Sequence, residues 1–249
     1  MAESHKVGVP SHGEYLRAMG IQQWVSRERG SAVPVPGRPV VENVSMPGLP
    51  IPPVEVEDAD VSSLDWPALE ARVSTCERCA LHATRNRTVF GSGDRSADWL
   101  VIGEAPGEDE DRKGEPFVGR AGQLLTAMLQ AIGCRRDQVY ITNILKCRPP
   151  RNRDPLPAEA ACCRAYLERQ IELVNPKLIL AVGRVAAHHL LETDTAIGKL
   201  RSKVHQYGED RIPLVVIYHP AYLLRSPQEK RKAWEDLQLA QRVVSGGGA

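Results

Sequence analysis

The chain has 249 residues, 42% of them hydrophobic and 25% charged, with a formal net charge of +1; that is an ordinary make-up for a globular protein, long enough for one sizeable domain and a small appendage. Bulk charge does not mark a nucleic-acid binder, although a local basic patch is compatible with it. No apolar run nears the roughly 20 residues of a membrane span and the N-terminus lacks an apolar core segment, so a cytoplasmic location is expected, and six cysteines there point to metal ligation or plain burial rather than disulfides.

Residues 1–30 are polar with one short apolar pattern, Tyr15, Leu16, Met19, Ile21, Trp24 and Val25. It reads either as a weak amphipathic turn or as a docking peptide anchored by Trp24, since a few aromatic anchors carry most interface energy. The string from Tyr15 to Trp24 resembles the N-terminal segment of the psi subunit of the bacterial replicative DNA polymerase clamp loader, where a Leu-Gly-Ile-x-x-Trp pattern helps bind the chi subunit. That resemblance implies docking through Leu16, Ile21 and Trp24, with the chi subunit as partner. Seven prolines between Pro34 and Pro53 deny residues 31–62 both helix and central strand, leaving an extended linker.

A globular pattern covers 63–245. Asp65 caps a helix that begins with Trp66-Pro67. Four apolar runs, near Trp99–Gly103, Val139–Ile144, Leu178–Val182 and Leu214–Tyr218, read as buried strands, and helical patterns at Gln123–Ile132, Ala158–Val174, Arg184–Leu191 and Gln228–Val243 alternate with them. The expected fold is an α/β/α sandwich on a mostly parallel four-stranded sheet, in a monomer.

Cys76-x-x-Cys79 supplies half of a four-thiolate site. Cys147 and one of the adjacent Cys162-Cys163 pair can complete it, and thiolates suit zinc or an iron–sulfur cluster. Cys134 reads as packing. The first strand runs into Gly103-Glu104-Ala105-Pro106-Gly107 and an acidic stretch, Glu108 to Asp111, in which Glu108 and Asp109 read as part of a solvated loop. Phe117, one of two phenylalanines, stands in a Gly/Pro-rich setting suited to stacking on a flat ring. Glu104, Asn143 and His219 each fall at a strand's C-terminal end, where side chains of an open α/β sheet converge on one crevice. Lys146, Arg148, Arg151, Arg153, Arg225 and Lys230-Arg231-Lys232 form a basic set suited to phosphates. His188-His189 read as surface or packing residues.

These residues carry a second resemblance. Gly103 to Gly107 with Glu110-Asp111, Gly114, Pro116-Phe117-Val118-Gly119 and Ala121-Gly122 is similar to the first motif of the iron–sulfur (family 4) uracil-DNA glycosylases. Asn143 to Pro150 with Asn152-Arg153 and Pro155 is similar to their central segment, and His219 to Arg225 to their last motif. The resemblance implies a hydrolase that flips uracil out of DNA and cleaves its N-glycosidic bond. It also implies a [4Fe–4S] cluster on Cys76, Cys79, Cys147 and Cys163, with Cys162 the fallback. Glu104, then Glu110, and His219 are the implied catalytic groups, and Ala105, Phe117, Asn143 and Asn152 the implied substrate contacts. Leu200-Arg201-Ser202 departs from the usual Leu-Arg-Gly. The competing class is a non-catalytic, psi-like accessory that retains a glycosylase fold.

Overall fold

The computed structural model describes residues 61–246; Leu16, Ile21, Trp24 and nearly all of the 31–62 stretch lie outside them. In chain order the strands and α-helices are α1 (Trp66–Ser74), β1 (Ser92–Gly93), β2 (Trp99–Gly103), α2 (Glu108–Lys113), α3 (Arg120–Ala131), β3 (Tyr140–Asn143), α4 (Pro157–Val174), β4 (Leu178–Val182), α5 (Arg184–Leu191), α6 (Ile197–Leu200), β5 (Val204–Tyr207), β6 (Ile212–Ile217), α7 (Pro220–Arg225) and α8 (Lys230–Val244).

One sheet runs in the order β1-β3-β2-β4-β6-β5. Its four central strands are the four expected from the apolar runs, and they pair in parallel. The structure adds two antiparallel edge strands. Neither has a continuous apolar run to announce it: β1 is only Ser92-Gly93, and β5 alternates exposed and half-buried residues.

Successive side chains of a strand point to opposite faces, and the apolar strands are covered on both. On one face Leu100, Ile102, Ile179, Ala181, Leu214 and Val216 meet Leu167 and Ile171 of α4 and Ala186 and Leu190 of α5. On the other, Val101, Leu180, Val182, Val215 and Ile217 meet Leu125 and Leu129 of α3 and Leu237 and Ala240 of α8. Each fully buried aliphatic side chain contributes about 1.5–3 kcal/mol, so sheet and helices stabilise one another. A smaller cluster packs α1 on α4, and Val61 is buried in it with Leu69, Val73, Phe90 and Tyr166. Asp65 caps α1 as expected, its Oδ1 accepting from the Ala68 amide at 3.0 Å.

The chain leaves β2 to form β3 on one side and later returns to place β4 on the other. The C-terminal end of β2, Gly103-Glu104, is therefore the topological switch point, where such sheets open a crevice.

Candidate active site

A crevice of about 920 Å³ opens at that end, lined by Glu104, Ala105, Phe117, Asn143, Asn152 and His219 among others. It brings together all three strand-end residues expected to converge. Glycine makes the close packing there possible. A Cβ on Gly103 would stand 2.4 Å from Asn143 Oδ1 and 2.6 Å from the Phe117 ring, so both side chains press directly on the end of β2. Phe117 takes a left-handed φ of 52°. Its carbonyl lies where a Cβ on Gly122 would fall, 1.8 Å away, so the first turn of α3 accepts Phe117 only with glycine beneath it. The ring is 7% exposed and lies 5.8 Å from the His219 ring at 31°.

Glu108 and Asp109 are solvated as expected, but the acidic stretch is helix rather than loop. Glu108–Lys113 is helix α2, with four acids in its first turn at the positive end of the dipole and Gly114 closing it at φ 79°. Glu110 Oε2 accepts from the Gly107 amide (3.1 Å), and Oε1 from the amides of Val118 (2.9 Å) and Gly119 (3.0 Å). Its carboxylate thus holds the turn that presents Phe117. Asp111 is buried, accepting from the Asn86 amide at 2.9 Å.

Asn143 is 2% exposed, and its Oδ1 is a buried acceptor with no hydrogen-bond partner among the described residues. Buried polar atoms are nearly always paired, so an orphan acceptor on a residue that lines the crevice is a candidate ligand contact. Asn152 follows Arg151 in a short turn, both at positive φ; its Oδ1 accepts from Arg148 Nε at 2.7 Å.

Glu104 and His219 are both shifted by burial. The Glu104 carboxyl is pushed up to about 7, chiefly by desolvation and then by neighbouring Asp154, with Arg184 opposing. The His219 imidazole is pushed down to about 4, chiefly by desolvation and then by the Arg225 charge, with Glu110 opposing. His219 caps α7, its Nδ1 accepting from the Ala221 amide at 3.1 Å. A neutral ring whose Nδ1 accepts carries its proton on Nε2. The crevice also takes in Gly183, at φ 92° just past β4, and Tyr218. Neither was anticipated, although Gly183-Arg184 ends the third apolar run, where the strand-end rule applies equally.

The basic set is only partly a surface feature. Arg153 pairs with Glu159 at 2.6 Å, Arg231 with Glu235 and Lys232 with Glu229. Lys146, expected on that face, is buried. Its ammonium is bonded to Thr142, Gln170 and the Asn143 carbonyl, out of reach of any phosphate.

The cysteines expected together are neighbours. Burial pushes the Cys79 thiol up to about 11, and Cys147, Cys162 and Cys76 are close enough to raise it further. Burial takes Cys163 up to about 12; the nearby Lys146 opposes, while Cys147 and Cys79 add to the rise. Burial also raises Cys147, against the Arg85 guanidinium, which donates to its sulfur at 3.1 Å and to the Cys76 carbonyl at 2.7 Å. Cys162 donates to the Arg78 carbonyl at 3.3 Å. No three His, Cys, Asp or Glu side chains among the described residues are closed around an ion position. The donor set nevertheless fits a thiolate-held group: soft sulfurs from three segments with a cation facing one of them. Cys134 packs against the second core cluster, and His188 bonds the Thr195 carbonyl at 2.8 Å.

Fold and crevice together define an α/β protein with a crevice at its sheet's switch point, walled by an aromatic ring and an unpaired amide oxygen. The profile described as the Uracil DNA glycosylase superfamily matches residues 90–238, and the chain belongs to that superfamily. It is 46% identical to the Type-4 uracil-DNA glycosylase of Archaeoglobus fulgidus over 173 residues, 67% of this chain and 86% of that protein. It is 42% identical to the Type-4 uracil-DNA glycosylase of Thermotoga maritima over 182 residues, 71% and 93% of the two. It is 34% identical to the Type-5 uracil-DNA glycosylase of Thermus thermophilus over 120 residues, 42% and 54%.

Proposed function

We propose that the chain is a uracil-DNA glycosylase, which draws uracil out of DNA and hydrolyses its N-glycosidic bond. The observation that carries this reading is the orphan Oδ1 of Asn143 beside the Phe117 ring. Uracil offers a flat face for Phe117 and an N3–H donor for Oδ1. The Asn143 amide donates to uracil O4, where cytosine carries an amino group and would set donor against donor. Unstacking the base costs a few kcal/mol, offset by these contacts.

Uracil leaves as an anion. His219, neutral with its proton on Nε2, donates to O2 and stabilises the charge as it develops. The sugar becomes oxocarbenium-like, and Glu104, ionised, faces it and orients water. Glu110 acts through the loop it holds and is a positioning residue. Ala105 and Asn152, which both line the crevice, contact the nucleotide. Cys76, Cys79, Cys147 and Cys163 would hold a [4Fe–4S] cluster, which when bound supplies a cross-link between the segment after α1, the β3–α4 connection and α4. Exposed Arg151 and the neighbouring arginines meet DNA phosphates.

One assay with an iron determination tests the whole. The purified protein is expected to be brown, to hold about four irons per chain and to release uracil from uracil-containing single-stranded DNA. Asn143→Ala should lower kcat/KM about 10–100-fold, the cost of about one to two lost hydrogen bonds. No release by wild type, or equal rates for the two, overturns the reading.

The Leu16-to-Trp24 pattern supports a compatible second role, tethering to the chi subunit as part of replication-coupled repair. Wild-type chain should be captured on immobilised chi and Trp24→Ala should not; equal capture, or none, removes that role.

A further inference from the structure

Lys146 is 1% exposed, an expensive place for an ammonium, and its three N–H donors are all used. They go to Thr142 Oγ1 at 2.7 Å, the Asn143 carbonyl at 2.8 Å and Gln170 Oε1 at 2.6 Å. The acceptors are themselves fixed. Gln170 Nε2 donates to the Phe90 carbonyl at 2.9 Å and to Tyr140 Oη at 3.3 Å, and the Thr142 hydroxyl donates to the same Phe90 carbonyl at 2.9 Å. A buried polar network closed at every member specifies one geometry. Here it grips the backbone of the residue whose side chain carries the orphan acceptor. The segment just beyond is tied to the end of β2, the Ile144 amide donating to the Gly103 carbonyl at 2.9 Å and the Leu145 amide to the Glu104 carbonyl at 3.1 Å.

We propose that Lys146 is a positioning residue for base recognition: from beneath the sheet end it fixes the Asn143 peptide, and with it the height and tilt of the Asn143 amide. The inference rests on the uracil-reading role given to Asn143 above. Without the ammonium the Asn143 carbonyl is left buried and unpaired, and the peptide it shares with the Ile144 amide is held only from its other side, by that amide's bond to the Gly103 carbonyl. A displacement of about 1 Å at a recognition group can cost 100-fold in rate.

The test is a double-mutant cycle on uracil release from single-stranded DNA, with wild type, Lys146→Met, Asn143→Ala and the double variant, and with iron content and melting temperature read for each. Lys146→Met is expected to lower kcat/KM about 10–100-fold with iron per chain unchanged. In the Asn143→Ala background it should lower kcat/KM further by less than about threefold, because the group it positions is gone. Thr142→Val, which removes one of the three bonds, should give a smaller loss that also vanishes in that background. If Lys146→Met does not fold, the Thr142→Val cycle decides alone. Losses that multiply in both backgrounds, or no loss at all, overturn the inference while wild type still releases uracil. Failure of wild type to release uracil overturns the functional reading and the inference with it.

Discussion

Burial does opposite things to the two ionisable groups that flank the crevice. Desolvation disfavours charge, so it holds Glu104 protonated up to about pH 7 and His219 neutral down to about pH 4. The carboxylate proposed to face the sugar is therefore available only above about pH 7, whereas His219 is neutral throughout that range. We predict that kcat/KM rises with pH through about 7 to a plateau, and that Glu104→Gln lacks this limb; a limb that persists in Glu104→Gln removes Glu104 from the chemistry. Stability runs the other way. The folded-state value lies above the ordinary 4.5, so the group's contribution is fully present below that value and is lost as pH rises through about 7. Thermal melts above pH 7 should accordingly favour Glu104→Gln over wild type, an activity-for-stability exchange at one carboxyl.

At the scale of elements, the stretch from β2 to α3 presents Phe117, and its tightest point is Gly122 under the Phe117 carbonyl. Gly122→Ala should push Phe117 out of place, lowering uracil release at least about tenfold while the sheet survives, since the clash is with a loop backbone. Near-wild-type release would show that the loop repacks without consequence. The four central strands and their helices were legible because buried parallel strands are continuous apolar runs, and α4 and α5 have clear ends. Helix α2 was not, because Glu108-Asp109-Glu110-Asp111-Arg112-Lys113 has no apolar period; what makes it helical is the Glu110 carboxylate reaching back to the Gly107 amide. The convergence of Glu104, Asn143 and His219 could be read from strand ends alone. The burial of Lys146 could not, since it depends on Gln170, one helix away. The Ser202 departure is likewise intelligible only in three dimensions. Its φ of 58° favours glycine, and the serine amide and hydroxyl both donate to Asp236 Oδ1, at 3.1 and 3.3 Å.

For the molecule as a whole, a net charge of +1 says little about the potential inside the crevice. Helices α3 and α5 both begin at its wall, capped by Gly119 and Gly183, so the positive ends of two helix dipoles border the crevice. With the His219 donation proposed above, the crevice is complementary to the departing anion as much as to the bound nucleotide. A site so prepared is a trap for its own product. The first turnover should outrun those that follow, visible as a burst of abasic product in rapid-quench measurements; a linear time course from the first turnover would mean that the base escapes freely. Once its bond is cut, the excised base becomes the enzyme's own brake.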